Sequence, residues 1–333
     1  MTVSCSVQRW LGRLARVGCL VVGCAAPAWG QDELYVANEE GNALTVCERK
    51  ANGDLALVRT IAGQSTLLSQ PTSLFLDSPN NEIAVTSAGG PADSVAVYSQ
   101  RADGNAAPLR RISGPSTLLS EPAGVAVDTA LNLLVVVNNS RNSINLYSRT
   151  ANGDVAPLRQ ISGALTLLKQ PEAVAVDSAN HEAVVTNSGN SSITVYDLST
   201  AAGNTPPLRK IGGVNTALKD PRGVTVDPVH GEILVANEGG DSVLVFGRTA
   251  TGDVAPIRKI AGAATQLDEP DGVAVDLARD QIVVTNAGDR ESIAIYERLA
   301  NGNVAPVRVF GAAAMHLKEP VSVAVGTGHP AAQ

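Results

Sequence analysis

Aromatic residues are scarce in this chain, at 3% of 333 residues, and both tryptophans, Trp10 and Trp29, lie in its first thirty positions. Without them, stacking on sugar rings and an aromatic cage for a quaternary ammonium are disfavoured. Cysteine is nearly absent beyond that segment: of four, only Cys47 lies in the body of the chain. Four histidines, His181, His230, His316 and His329, are scattered. No Ser/His/Asp set, HExxH, CxxC or glycine-rich phosphate loop is found. No stretch sustains a period of 3.6 residues, which argues against amphipathic helices.

The opening thirty residues carry Arg9, Arg13 and Arg16 before the apolar run VGCLVVGCAAPAWG. A basic segment, a short apolar core and small residues at the end make an export signal, with Ala28-Trp29-Gly30 suited to cleavage before Gln31. The run is too short and too rich in Gly and Ala for a membrane span. Val21-Val22-Gly23-Cys24 also fits a lipobox, in which Cys24 would carry a lipid. The expected organisation is a signal at 1–30, one folded body at 31–326 and a disordered tail at 327–333. The protein is expected in the periplasm or outside the cell, soluble or tethered by lipid. Losing three of 25 basic residues and none of 32 acidic ones leaves 22 against 32, a formal charge of −10. Such a surface repels nucleic acid and anionic lipid.

What is abundant is repetition. ANGDVAPLRQISG, at 151–163, has near-copies throughout the chain. Its arginine recurs at Arg59, Arg110, Arg159, Arg209, Arg258 and Arg308, and a proline at Pro71, Pro122, Pro171, Pro221, Pro270 and Pro320. Six units of about 50 residues follow. Each reads as four short β-branched runs separated by turn residues, as in GVTVD, EILVAN, SVLVFGR and VAPIRKI. Asn152-Gly153 is expected to turn a hairpin into a fourth strand, VAPLRQI. Four strands in six units specify an all-β, six-bladed β-propeller. Small residues of the first strand suit the crowded axis. Tyr98, Tyr147, Tyr196, Phe246 and Tyr296 share one position of the third strand, and Cys47 takes that position in its own unit. The body opens on a second strand, ELYVAN, and ends on a first strand, PVSVAV. These must pair to close the ring and remove an open edge.

The unit P-x-G-V-A-V-D, V-V-T-N, S-I-x-V-Y resembles NHL repeats and the YVTN-type propeller repeats, over residues 32–326. Six blades favour the NHL-like side. The resemblance implies a binding platform for protein or a small polar ligand, and less often an enzyme. Fold does not settle that choice.

Two rings of polar residues are expected on the face carrying the strand 2–3 loops. One ends the second strand: Asn38, Ser87, Asn138, Asn187, Asn237 and Asn286. The other precedes the repeated proline: Gln70, Glu121, Gln170, Asp220, Glu269 and Glu319. Asp220, Glu269 and Glu319 are the candidate ligand contacts. Two irregular loops are candidate partner contacts: 88–93 with Asp93, and 287–292 with Asp289, Arg290 and Glu291. The favoured reading is a monomeric, non-enzymatic binding propeller without a cofactor. The alternative is a lactonase or gluconolactonase-like hydrolase holding Ca²⁺ in the channel through Asn138, Asn187, Asn237 and Glu269.

Overall fold

The computed structural model describes residues 32–50, 52–89 and 93–326. The signal segment, with Cys24, and the tail lie outside the described residues. The described chain forms six four-stranded antiparallel sheets in a ring, with one turn of α-helix, Ala312–Met315. Numbered from the N-terminus, blade 4 is typical: Pro171–Asp177 lies innermost, then Glu182–Asn187, Ser192–Asp197 and Arg209–Gly212.

Blade 1 joins the two ends of the chain. Pro320–Val325 pairs antiparallel with Glu33–Asn38, with Val323 opposite Val36 and Val325 opposite Leu34. Leu34, Val36 and Val323 then pack with Ala274, Val283 and Ile293 of blade 6. Second and third strands are apolar along most of their length because each is covered on both faces by neighbouring blades.

The tyrosine column packs at these interfaces. Tyr98, Tyr196 and Tyr296 each donate their hydroxyl to a threonine carbonyl (Thr66, Thr166, Thr265) at 2.5 Å. A large ring is thereby buried without an unsatisfied O–H. Cys47, in the same column, is buried with Sγ 3.5 Å from Met315 Sδ. Burial pushes its thiol up to about 12, which makes it a poor nucleophile.

The expected fourth strand is shorter than its sequence suggests. In blade 3 it spans only Arg159–Ser162, because Pro157 has no N–H for the ladder. In blade 1 the matching segment reads LALVRTIA, without proline, and pairs over Leu55–Ala62. The Asn-Gly-Asp stretch is freed to bind the preceding blade. Gly153 bridges to Ile112, and Asp154 Oδ1 accepts the Ser116 N–H at 2.7 Å. The quoted repeat is therefore a clasp between blades.

Gly163 shows how tight the clasp is. Its φ is 123°, and an added Cβ would stand 2.5 Å from Asn204 Oδ1, which accepts the Leu165 N–H. Gly163→Ala will lower stability by about 1–3 kcal/mol. A denaturant melt checks this, and an unchanged midpoint would show the clasp to be dispensable.

Charged pairs reinforce the blade junctions. Glu82 takes both arms of Arg110 at 2.6 Å and Arg149 of the next blade at 3.0 Å. Glu232 takes Arg258 at 2.7 Å and Arg298 at 3.3 Å. Hydrogen bonds from Arg110 and Arg258 hold Glu82 and Glu232 below the usual carboxylate range. A carboxyl with a depressed folded pKa binds fewer protons folded than unfolded. Its stabilisation is thus complete above the unfolded value near 4.5 and lost as pH falls through the folded one. Melts of the parent will fall steeply below pH 4.5. In Glu82→Gln the fall will be shallower; an identical acid limb would refute the assignment.

Candidate functional site

At the mouth of the axial channel the repeat loses its symmetry. The innermost strands pair on one side only, so their other edge faces a channel cavity of about 590 Å³. The residue after each repeated proline reaches its rim: Thr72, Ala123, Glu172, Arg222, Asp271 and Val321. So do Glu39 and Asn139, each following a second-strand asparagine.

Arg222 of blade 5 is the centre of this rim. Its Nε contacts Glu238, its Nη1 lies 3.4 Å from Glu172 Oε1, and Asp220 Oδ1 is 3.7 Å from Nε. Glu172 Oε1 also accepts from Ser188 Oγ at 2.7 Å and Asn139 Nδ2 at 3.0 Å. The Asp271 carboxyl, on blade 6, accepts no hydrogen bond among the described residues. Its backbone is drawn close by Gly223, where a Cβ would lie 2.3 Å from the Asp271 carbonyl oxygen.

The cluster separates its members electrostatically. Desolvation lifts Asp271 well above the usual carboxylate range; Arg222 opposes this, while Glu238, Glu172 and Glu39 add to it. Desolvation also raises Glu172, against Arg222 and the Ser188 hydrogen bond. Burial and the Glu319 charge raise Glu39. Burial alone would lower the Arg222 guanidinium, yet Glu172, Asp271 and Glu238 hold it above its ordinary value. A fixed cation thus stands among carboxyls of raised pKa, an arrangement common at sites of chemistry.

The sequence-based candidates fall beside this rim. Asn138, Asn187, Asn237 and Asn286 are buried. Their Oδ1 atoms accept the N–H of Ser120, Lys169, Lys219 and Asp268 at 2.7–3.2 Å. Asp220, Glu269 and Glu319 stand in left-handed backbone, with φ of 48–50°. The Glu269 N–H is held by Asp241 and the Glu319 N–H by Glu291 Oε1. Asp220 alone of these three approaches Arg222, and Glu269 is exposed. Asp93 accepts the Glu121 N–H at 2.9 Å, so it ties blade 2 to blade 3. Positions 90–92 of its loop lie outside the described residues. Asp289 and Arg290 are exposed.

The donor set proposed for Ca²⁺ does not fit a cation. The asparagine oxygens already accept backbone N–H groups, and Glu269 does not line the channel. Among the described residues, no three His, Cys, Asp or Glu side chains are placed to hold a metal.

The residues missed lie two positions beyond the candidate ring, on the other side of the repeated proline. The signal was available: the position after the proline reads Thr, Ala, Glu, Arg, Asp, Val, whereas its neighbours keep a consensus.

Fold and rim together define a six-bladed β-propeller repeat protein with a polar, asymmetric channel mouth. A family described as lactonase, with a seven-bladed β-propeller, matches residues 158–270, about a third of the chain. That span holds Glu172, Arg222 and Glu238 and ends one residue before Asp271. The six blades here are one fewer than that description gives. No curated protein matches the chain. Among solved structures, the nidogen/laminin complex is similar at a TM-score of 0.66 and 12% identity, covering 90% of this chain and 99% of that one. A protein from Lactobacillus plantarum gives 0.61 at 16% identity, with 88% and 98% covered. A putative 6-phosphogluconolactonase from Bacteroides uniformis gives 0.57 at 15% identity, with 84% and 83% covered. Likenesses at this identity establish the fold alone.

Proposed function

We propose that the protein hydrolyses a lactone at the channel mouth. The carrying observation is Asp271: a part-buried carboxyl on the cavity lining that accepts no side-chain hydrogen bond among the described residues and sits in the field of Arg222 and Glu172, its pKa raised. A propeller that only holds a ligand has no need for such a group, and general acid catalysis does. The partial lactonase match over the segment with Glu172 and Arg222 supports the same reading.

The chemistry needs three roles. Glu172, held by Ser188 and Asn139, takes a proton from water as the oxygen bonds to the lactone carbonyl carbon. Arg222 donates hydrogen bonds to the carbonyl oxygen as it becomes an oxyanion. The intermediate collapses, the ring C–O bond breaks, and Asp271 gives its proton to the departing ring oxygen. The product is a hydroxy acid, and solvent returns the proton from Glu172 to Asp271. Two carboxyls in different surroundings can divide acid and base in this way.

A pH profile of kcat/KM on glucono-1,5-lactone tests this, with spontaneous hydrolysis subtracted. Glu172 must be ionised to act as base, and its pKa is raised. Activity will therefore fall with decreasing pH along a limb above 4.5. Glu172→Gln will lower kcat/KM at least a hundredfold, and Asp271→Asn will remove the alkaline limb. Less than a threefold loss in both variants would sink the reading.

A further inference from the structure

We infer that this site, on the hydrolase reading, selects an uncharged lactone and rejects one carrying a phosphate. Glu172, Glu238 and Asp271 stand around one cation, Arg222, and Glu39 and Glu121 line the same cavity. A phosphate-binding mouth would present cations in excess, usually arginines able to grip two oxygens. Here the single arginine is already engaged by Glu238 through Nε and by Glu172 through Nη1, which leaves Nη2 for the lactone carbonyl and no free fork for two phosphate oxygens. A dianion entering the mouth would meet a surplus of negative charge in a partly desolvated cleft, where repulsion is weakly screened.

What remains for recognition is uncharged. Below the rim, the innermost strands turn their unpaired edges to the channel, so backbone N–H and C=O groups line it. Ser73 and Thr225 add hydroxyls to that wall. Such a surface suits a ligand rich in hydroxyl groups, because each ligand hydroxyl both donates and accepts. The selected class is accordingly a neutral, hydroxylated lactone. The fold-level likeness to a putative 6-phosphogluconolactonase does not extend to phosphate recognition.

The experiment compares glucono-1,5-lactone with its 6-phosphate under one set of conditions. The neutral lactone will show at least tenfold higher kcat/KM at low ionic strength, and added salt will narrow the gap. Glu121→Gln removes one cavity-lining charge outside the catalytic trio. It will raise kcat/KM for the phosphorylated lactone severalfold while changing that for the neutral one less than twofold. Equal or better use of the phosphorylated lactone overturns the inference. Binding separates this from the hydrolase reading. The non-hydrolysable gluconolactam will raise the melting midpoint, and its 6-phosphate will not. If neither lactone is hydrolysed but the lactam alone binds, the charge preference stands and the hydrolase reading falls. If the phosphorylated lactam binds as well as the neutral one, or neither binds, the preference falls.

Discussion

Removing residues 320–333 will abolish cooperative melting or lower the midpoint far beyond the effect of any single substitution. The strand Pro320–Val325 is the inner strand of blade 1, and its loss strips the ladder from Glu33–Asn38. Val323 leaves the cluster joining Leu34 and Val36 to Ala274, Val283 and Ile293, and Val321 leaves the one around Tyr35 and Leu74. Each buried valine is worth about 1.5–3 kcal/mol. Each hydrogen bond adds about 0.5–1.5 kcal/mol. The sum is of the same order as the net stability of a domain, about 5–15 kcal/mol. The edge of Glu33–Asn38 would also be left unpaired, a template for association. Circular dichroism melts with gel filtration check this. Val323→Ala is the graded control and will cost about 1.5–3 kcal/mol through the two methyl groups removed and the space they leave. A truncated chain that melts within two degrees of the parent, still monomeric, would show that closure contributes little.

Arg222→Met should have the largest effect on chemistry. Methionine keeps much of the length and none of the charge. The oxyanion would lose its donor, for which a loss of about 10²–10³ in kcat is typical. The carboxyls would lose the cation that opposes their desolvation, so Asp271 and Glu172 would be raised further. Folding then carries a pH signature. A carboxyl whose folded pKa exceeds its unfolded one binds more protons when folded, so stability rises as pH falls. Arg222→Met will be destabilised against the parent at pH 8 and will recover towards pH 5. Arg222→Lys will restore that stability in part but little activity, since an ammonium cannot reproduce the planar fork. Full activity in Arg222→Met would remove the arginine from the mechanism. A pH-independent loss of stability would show that its role is packing.

The site was half legible beforehand, and the missing half has a physical explanation. The asparagine ending each second strand looked available because it is polar and repeated. It is repeated because it does the same work in five of the six blades: Asn187, for one, accepts the Lys169 N–H and donates to Thr194 Oγ1 at 3.0 Å. In a protein built from copies, consensus marks what holds the copies together, and chemistry lies where consensus fails. Glu172, Arg222 and Asp271 occupy such a position. The candidate ring and these residues flank the repeated proline two positions apart, so one short stretch of each blade holds both the repeated scaffold and the variable channel lining.

Periodicity alone determined the architecture. Six units of four short strands admit few arrangements. The pairing of the last strand with the first three followed from where a unit was cut. Such features are local, or they recur until they are unmistakable. Only the tertiary structure decided that residues from blades 3, 4, 5 and 6 meet around Arg222. It also showed that the Asn-Gly-Asp stretch clasps the preceding blade rather than turning a hairpin. Both outcomes depend on how far apart neighbouring blades stand, a distance set by packing against the next copy and written in no single repeat.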